Sequence, residues 1–132
     1  MNNKKIIGLV LGVFLYAFSI GAFAAGPYDG IWAIQWNGQT VMFTTLHEHE
    51  DQRLVIATLD GRGSAWDAFL GKRKDNAIDA KKIKVNAGDT TNIQISITFN
   101  SPTTLEAEIT SCAPEAECEL PTGTQLTGRK VW

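Results

Sequence analysis

Apolar and polar residues alternate along most of this chain from Gly30 onward, and turn-forming residues interrupt the alternation at short intervals. The run Gly30-Ile31-Trp32-Ala33-Ile34-Gln35-Trp36 is rich in β-formers and ends at Asn37-Gly38, the dipeptide that most strongly marks a two-residue hairpin. Such a turn sets a register. Trp36 is expected opposite Gln39, Ile34 opposite Val41 and Trp32 opposite Phe43, all on the core face. Gln39 to His49 carries the pattern on, with Val41, Phe43, Thr45, His47 and His49 sharing a face. Arg53 to Leu59 reads as a third strand and Asp60-Gly61-Arg62-Gly63 as a turn. Ala65 to Leu70 is a fourth strand, with Trp66, Ala68 and Leu70 on one face, and Gly71 to Asn76 reads as a charged connection. A fifth strand, Ala77 to Val85, is interrupted by Lys81 and Lys82. After a turn at Asn86-Ala87-Gly88-Asp89, Ile93, Ile95, Ile97 and Phe99 alternate with Gln94, Ser96 and Thr98. That is the period of two expected for one buried and one wet face. Leu105, Ala107 and Ile109 then alternate with Glu106 and Glu108, and Gln125 to Trp132 is a last strand.

About eight consecutive strands joined by short polar turns predict an all-β fold, a single antiparallel up-and-down meander. Closing it into a barrel removes the two exposed edges. A two-sheet sandwich is the other arrangement of the same hairpins. The chain ends in an aromatic residue, Trp132, as outer-membrane barrels often do. Those barrels need strands of roughly 9–11 residues and an apolar outer band. The strands read shorter here, and one face carries Gln94, Thr98, Glu106 and Glu108. The mature chain is therefore expected not to insert in a membrane.

The start of the chain changes the picture of where this fold resides. Lys4 and Lys5 precede an almost unbroken apolar run from Ile6 to Phe18, and Ala22-Phe23-Ala24 follows. This is the layout of a secretory signal with cleavage after Ala24; a retained anchor is the alternative. No cysteine follows the apolar run, so a lipoprotein attachment site is missing. Residues 1–24 are thus expected to be removed, leaving 25–132 as one domain in the periplasm or the medium. The chain has 12 basic and 14 acidic residues; losing Lys4 and Lys5 leaves ten against fourteen. A net charge of −4 offers no long-range attraction for nucleic acid. In an oxidising compartment, Cys112 and Cys118 are expected to form a disulfide. A metal or redox dithiol normally uses the tighter Cys-x-x-Cys spacing. Closing so short a loop stabilises by roughly 2 kcal/mol in the chain-entropy description.

Gly30-Ile31-Trp32 resembles the Gly-x-Trp signature of the calycin superfamily, the group of lipocalins, fatty-acid-binding proteins, avidins and small periplasmic metalloprotease inhibitors. The resemblance implies a closed calycin-like barrel in which Trp32 plugs one end. It also implies a late basic residue, Arg129 or Lys130, packed across that tryptophan. The second lipocalin motif, around Thr-Asp-Tyr, is absent, and the cysteine spacing departs from that of the inhibitors.

Candidate chemistry is sparse. His47-Glu48-His49-Glu50 is the one concentrated ligand set. In a strand His47 and His49 point the same way and could share a metal ion, with no further ligand in the window; the other reading is a solvated strand end. No serine or cysteine sits in a nucleophile elbow, and no pair of buried carboxylates can be picked out for glycoside chemistry. Lys72, Arg73 and Lys74 read as a solvated loop tip. Neither catalysis nor a cofactor is expected. Trp32, Trp36, Phe43 and Trp66 are the candidate ligand-binding residues. They either fill a narrow interior or line a small apolar pocket in one barrel mouth. The expected function is an exported, monomeric binding protein for a small apolar ligand. The alternative is a periplasmic inhibitor or accessory factor that recognises another protein through the acidic stapled loop 112–123.

Overall fold

The computed structural model describes residues 26–60, 66–85 and 87–132. The expected signal segment, the Gly61–Gly63 turn and Asn86 lie outside them. Eight antiparallel strands follow one another around a closed barrel. They are β1 (Gly30–Trp36), β2 (Gln39–Glu48), β3 (Arg53–Asp60), β4 (Trp66–Lys74), β5 (Ala77–Ile83), β6 (Asn92–Ser101), β7 (Thr104–Ala113) and β8 (Gln125–Lys130). A single 3₁₀ turn, Glu115–Glu117, interrupts the loop before β8. The up-and-down meander expected from the alternation is the observed architecture, closed by pairing of β1 with β8.

Closure explains the glycine of the Gly-x-Trp run. Gly30 has φ +142°, and a Cβ there would lie 2.1 Å from the Trp132 carbonyl oxygen. The first strand can therefore start there only with no side chain, because the backbone just past the last strand crosses it. Ile31 N–H donates to Trp132 O at 2.9 Å, and Val131 N–H donates to Ile31 O at 2.8 Å. Of the two late basic residues, Lys130 pairs with Trp32 while Arg129 pairs with Ala33. Arg129 is exposed, which corrects the expectation that either residue could lie across the indole.

The first hairpin holds a one-residue correction. Asn37 and Gly38 both have positive φ, 50° and 79°, the signature of a type I′ turn. Trp36 does face Gln39, but the register shifts between Ile34 and Gln35. Val41 has no partner, Ile34 faces Met42, and Trp32 faces Thr44. A bulge of this kind turns the rest of the strand over. Thr44 and Leu46 become core, while Phe43, Thr45 and His47 point outward.

β4 also departs from expectation. It continues through Lys74, so Gly71 to Lys74 is strand rather than connection. On the barrel's outer side Phe43 pairs with Leu59, and Leu59 with Trp66, which as the first residue of β4 also borders the barrel mouth; each has more than a third of its surface exposed. β6 and β7 keep the expected faces, with Ile97, Phe99, Leu105 and Ile109 inside. Their solvent side carries Gln94, Thr98, Glu106 and Glu108. β6 and β7 each run ten residues, longer than the alternation alone suggested, while β2, also ten residues, stops one short of the expected His49. Among the described residues no helix is long and apolar enough to cross a membrane.

Candidate functional site

The inward residues of the eight strands do not fill the barrel evenly. Toward the Gly30 end the interior is solid. Trp32 is wholly buried and lies 5.6 Å from the Phe99 ring, which stacks on Tyr28 at 3.7 Å. The indole Nε1–H donates to the Tyr28 carbonyl at 3.0 Å, giving this buried donor the partner it needs. Leu54, Ile56 and Ile78 complete the packing. Toward the other end the interior opens into a cavity of about 720 Å³. Its deeper wall is apolar, built from Ile34, Leu46, Ile56, Phe69, Ile97 and Leu105.

The mouth of the cavity is built by longer connections. Segment 84–91 joins β5 to β6, and segment 114–124 joins β7 to β8. The second is held by the Cys112–Cys118 disulfide, as expected from the sequence. Glu117, Glu119 and Leu120 of that loop reach the cavity, as does Thr91 of the other. Thr90 Oγ1 donates to Glu117 Oε2, so the two loops are tied together across the mouth. Asp60 and Trp66, at the ends of β3 and β4, and Trp36, at the end of β1, complete the rim.

One basic residue stands inside this rim. Lys82 has a side chain only 7% exposed, and its Nζ lies 2.8 Å from Asp67 Oδ1 and 2.8 Å from Asp89 Oδ1. It donates a third bond to Thr91 Oγ1 at 2.6 Å. All three ammonium donors are thereby used. Burial alone would pull the ammonium pKa down, but the hydrogen bonds and charges of Asp67 and Asp89 outweigh it and hold the pKa above its ordinary value. The hydrogen bond from Lys82 in turn holds the Asp89 carboxyl below its ordinary value, against the opposing effect of burial. Asp89 Oδ2 is buried and has no hydrogen-bond partner.

A second buried ion pair lies at the closed end. Arg73 Nε donates to Glu48 Oε1 at 2.7 Å, with its guanidinium 5.8 Å from the centre of the Tyr28 ring. The Glu48 side chain is only 5% exposed. Its backbone N–H donates to Asp29 Oδ1 at 2.7 Å. Outside this pair runs a broad surface depression bordered by Asp29, His47, His49 and Arg53. Its walls are charged and open to water, which suits an apolar ligand poorly.

The structure separates the four candidate ligand-binding aromatics. Trp36 and Trp66 line the mouth of the cavity. Trp32 does not line it, because it is part of the plug at the other end. Phe43 is 45% exposed on the outer face, turned there by the bulge at Val41. His47 and His49 have ring centroids 5.1 Å apart, and His47 Nδ1 lies 3.2 Å from Asp29 Oδ2. Among the described residues, no group of three or more histidine, cysteine, aspartate or glutamate side chains is arranged to hold a metal ion.

Both buried ion pairs escape a reading by alternation. Arg73 sits in a segment that reads as a solvated loop tip, and Lys82 in a strand whose alternation its lysines interrupt. The signal was there in the second case. A lysine at the inward position of a strand needs partners, and Asp67 and Asp89 are near enough in the meander to supply them. No protein-family model, no curated protein and no solved structure matches this chain.

Proposed function

We propose that this protein is an exported barrel, periplasmic or secreted, that binds a small apolar ligand in its open end and carries out no catalysis. The observation that carries the reading is the cavity of about 720 Å³, walled by apolar side chains and reached through a polar rim. Its size falls in the range of roughly 300–1,000 Å³ typical of small-molecule sites. The disulfide fits an oxidising compartment. The calycin resemblance belongs to the same reading, supported by Trp32 buried at the closed end with Lys130 paired beside it. Recognition of another protein through loop 112–123 draws less support, because Glu117, Glu119 and Leu120 of that loop turn toward the cavity.

Titration with the neutral fluorophore N-phenyl-1-naphthylamine tests this reading. One-to-one saturable binding is expected, with loss of the signal in Ala107→Trp, which fills the cavity from β7. Leu126→Phe provides a milder filling variant, and thermal melts establish that both are folded. A folded parent that shows no saturable uptake, or filling variants that bind as well as the parent, would sink the proposal.

A further inference from the structure

The charges around the mouth specify more than an apolar ligand. Asp60, Asp67, Glu117 and Glu119 border the cavity, and Lys82 is the one basic side chain among the described residues that does so. Lys82 has no donor left, since Asp67, Asp89 and Thr91 take all three. An anionic head group entering here would find carboxylates and an ammonium that is already neutralised. Asp67 and Asp89 together carry one more charge than the Lys82 they hold, and the buried Oδ2 of Asp89 still lacks a partner. Residues 61–65 lie outside the described residues and include Arg62; counting it leaves the carboxylates in excess. Trp36 and Trp66 stand partly exposed at the same rim, and indole rings attract cations rather than anions.

We propose that the cavity takes an amphiphile with an apolar tail and a positively charged head, an alkyl amine or quaternary ammonium, the tail lying among Ile34, Ile56, Phe69 and Ile97 and the head held at the carboxylate rim. This rests on the cavity being a ligand site, as proposed above. The acidic rim sets the polarity of the ligand, and the length of the apolar wall sets its reach. A fatty acid of the same tail length is the ligand this mouth rejects, even though Lys82 makes it look suited to one.

Three decyl compounds that differ only in the head distinguish the possibilities when titrated calorimetrically into the purified protein at low salt: decyltrimethylammonium, decanol and decanoate. Decyltrimethylammonium is expected to bind about tenfold more tightly than decanol, and decanoate more weakly than either. The difference should shrink in about 0.5 M salt, where charge at a solvated rim is screened. Glu117→Gln combined with Glu119→Gln should narrow the gap between the cation and the alcohol several-fold. Equal affinity for all three, or tightest binding of decanoate, overturns the head-group inference while leaving the cavity reading standing. Failure of all three, decanol included, removes the cavity reading and this inference with it.

Discussion

The two ends of this barrel each keep one basic side chain out of water, and they put it to opposite use. At the closed end Arg73 is sealed between Glu48 and the ring of Tyr28, beneath a solid stack of Tyr28, Phe99 and Trp32. At the open end Lys82 is held by Asp67 and Asp89 beside an unfilled cavity. The connections differ in the same sense. The described links at the closed end run two to four residues, at 49–52, 75–76 and 102–103, whereas the open end, besides the two-residue turn 37–38, carries segments 84–91 and 114–124. Short turns leave no chain to build a site, so the closed end spends its side chains on packing. Long loops supply the rim residues that a rigid scaffold then positions. A buried ion pair is by itself weak evidence of stability or function. Here its surroundings decide which it serves: a plug where aromatics pack over it, a polar rim where they do not.

The sharpest way to break the comparison is to empty the plug. Trp32→Ala removes the largest wholly buried side chain of the closed end. It is expected to destabilise by about 3–5 kcal/mol in urea unfolding, as large-to-small core changes do. A loss below about 1 kcal/mol would mean that the closed end is not the structural half. Arg73→Met ranks next. It leaves the Glu48 carboxylate, only 5% exposed, without its cation, and should destabilise by roughly 3 kcal/mol. Glu48→Gln in the same chain should recover part of that loss, because the stranded charge goes with it. No recovery would show that Arg73 matters for its packing on Tyr28 rather than for its charge.

Lys82→Met tests the other end. Water relieves the charge left on Asp67, which is 37% exposed, but the Asp89 carboxylate, only 7% exposed, loses its cation as Glu48 does, so the expected loss is again roughly 3 kcal/mol. The pH dependence follows from the two shifts. Asp89 has its pKa lowered in the folded protein, so its contribution is present above the ordinary carboxyl value of roughly 3.9 and is lost as pH falls through the lower folded value. Lys82 has its pKa raised, so its contribution is complete below roughly 10.4 and is lost as pH rises through the higher folded value. Hydrogen exchange of segments 84–91 and 114–124 should therefore be flat between about pH 5 and 9 once corrected for intrinsic rates. Opening of the rim loops near neutral pH in the parent would contradict this grip. Reduction of Cys112–Cys118 should act on the same rim, loosening 114–124 by roughly 2 kcal/mol while leaving exchange at Trp32 and Ile56 unchanged.

How much of this was legible beforehand follows one physical line. Where one face is wet and the other buried, as in Ile93 to Phe99 and Leu105 to Ile109, the period of two identifies strand and face correctly. The Asn37–Gly38 turn likewise predicts its own flanking pair, Trp36 with Gln39. Two residues later the reading fails. A bulge depends on how β1 and β2 twist against each other and on their neighbours, and no residue in Thr40-Val41-Met42 marks it. That single slip sends Phe43 outward and puts Thr44 in the core. The site was half legible for a related reason. Trp36 and Trp66 are recognisable as large aromatics at strand ends, but Lys82 and Arg73 look like solvated charge until the partners across the barrel are known. Alternation records which residues avoid water on average. It is blind to a charge that leaves water because another charge meets it.

The smallest expected effect concerns His47 and His49, which lie outside the plug but at its end of the barrel. His47 has a side chain 65% exposed, and its Nδ1 lies 3.2 Å from Asp29 Oδ2. His49 stands just past the end of β2, edge-on to it. Asp29 is also engaged by the backbone N–H of Glu48, so it is ordered without either imidazole. Replacing both histidines by glutamine should therefore change stability by no more than about 0.5 kcal/mol, the range of ordinary surface changes. Uptake of N-phenyl-1-naphthylamine at the far end should be unaffected, because no strand residue between them is moved. Zinc supplies the complementary test. Two imidazoles with one carboxylate already hydrogen-bonded make an incomplete tetrahedral set, so calorimetric titration should give only weak binding in the parent. Tight one-to-one zinc binding that disappears in the double variant would give the closed end a chemistry of its own, and the division of the barrel into a structural end and a proposed binding end would have to be redrawn.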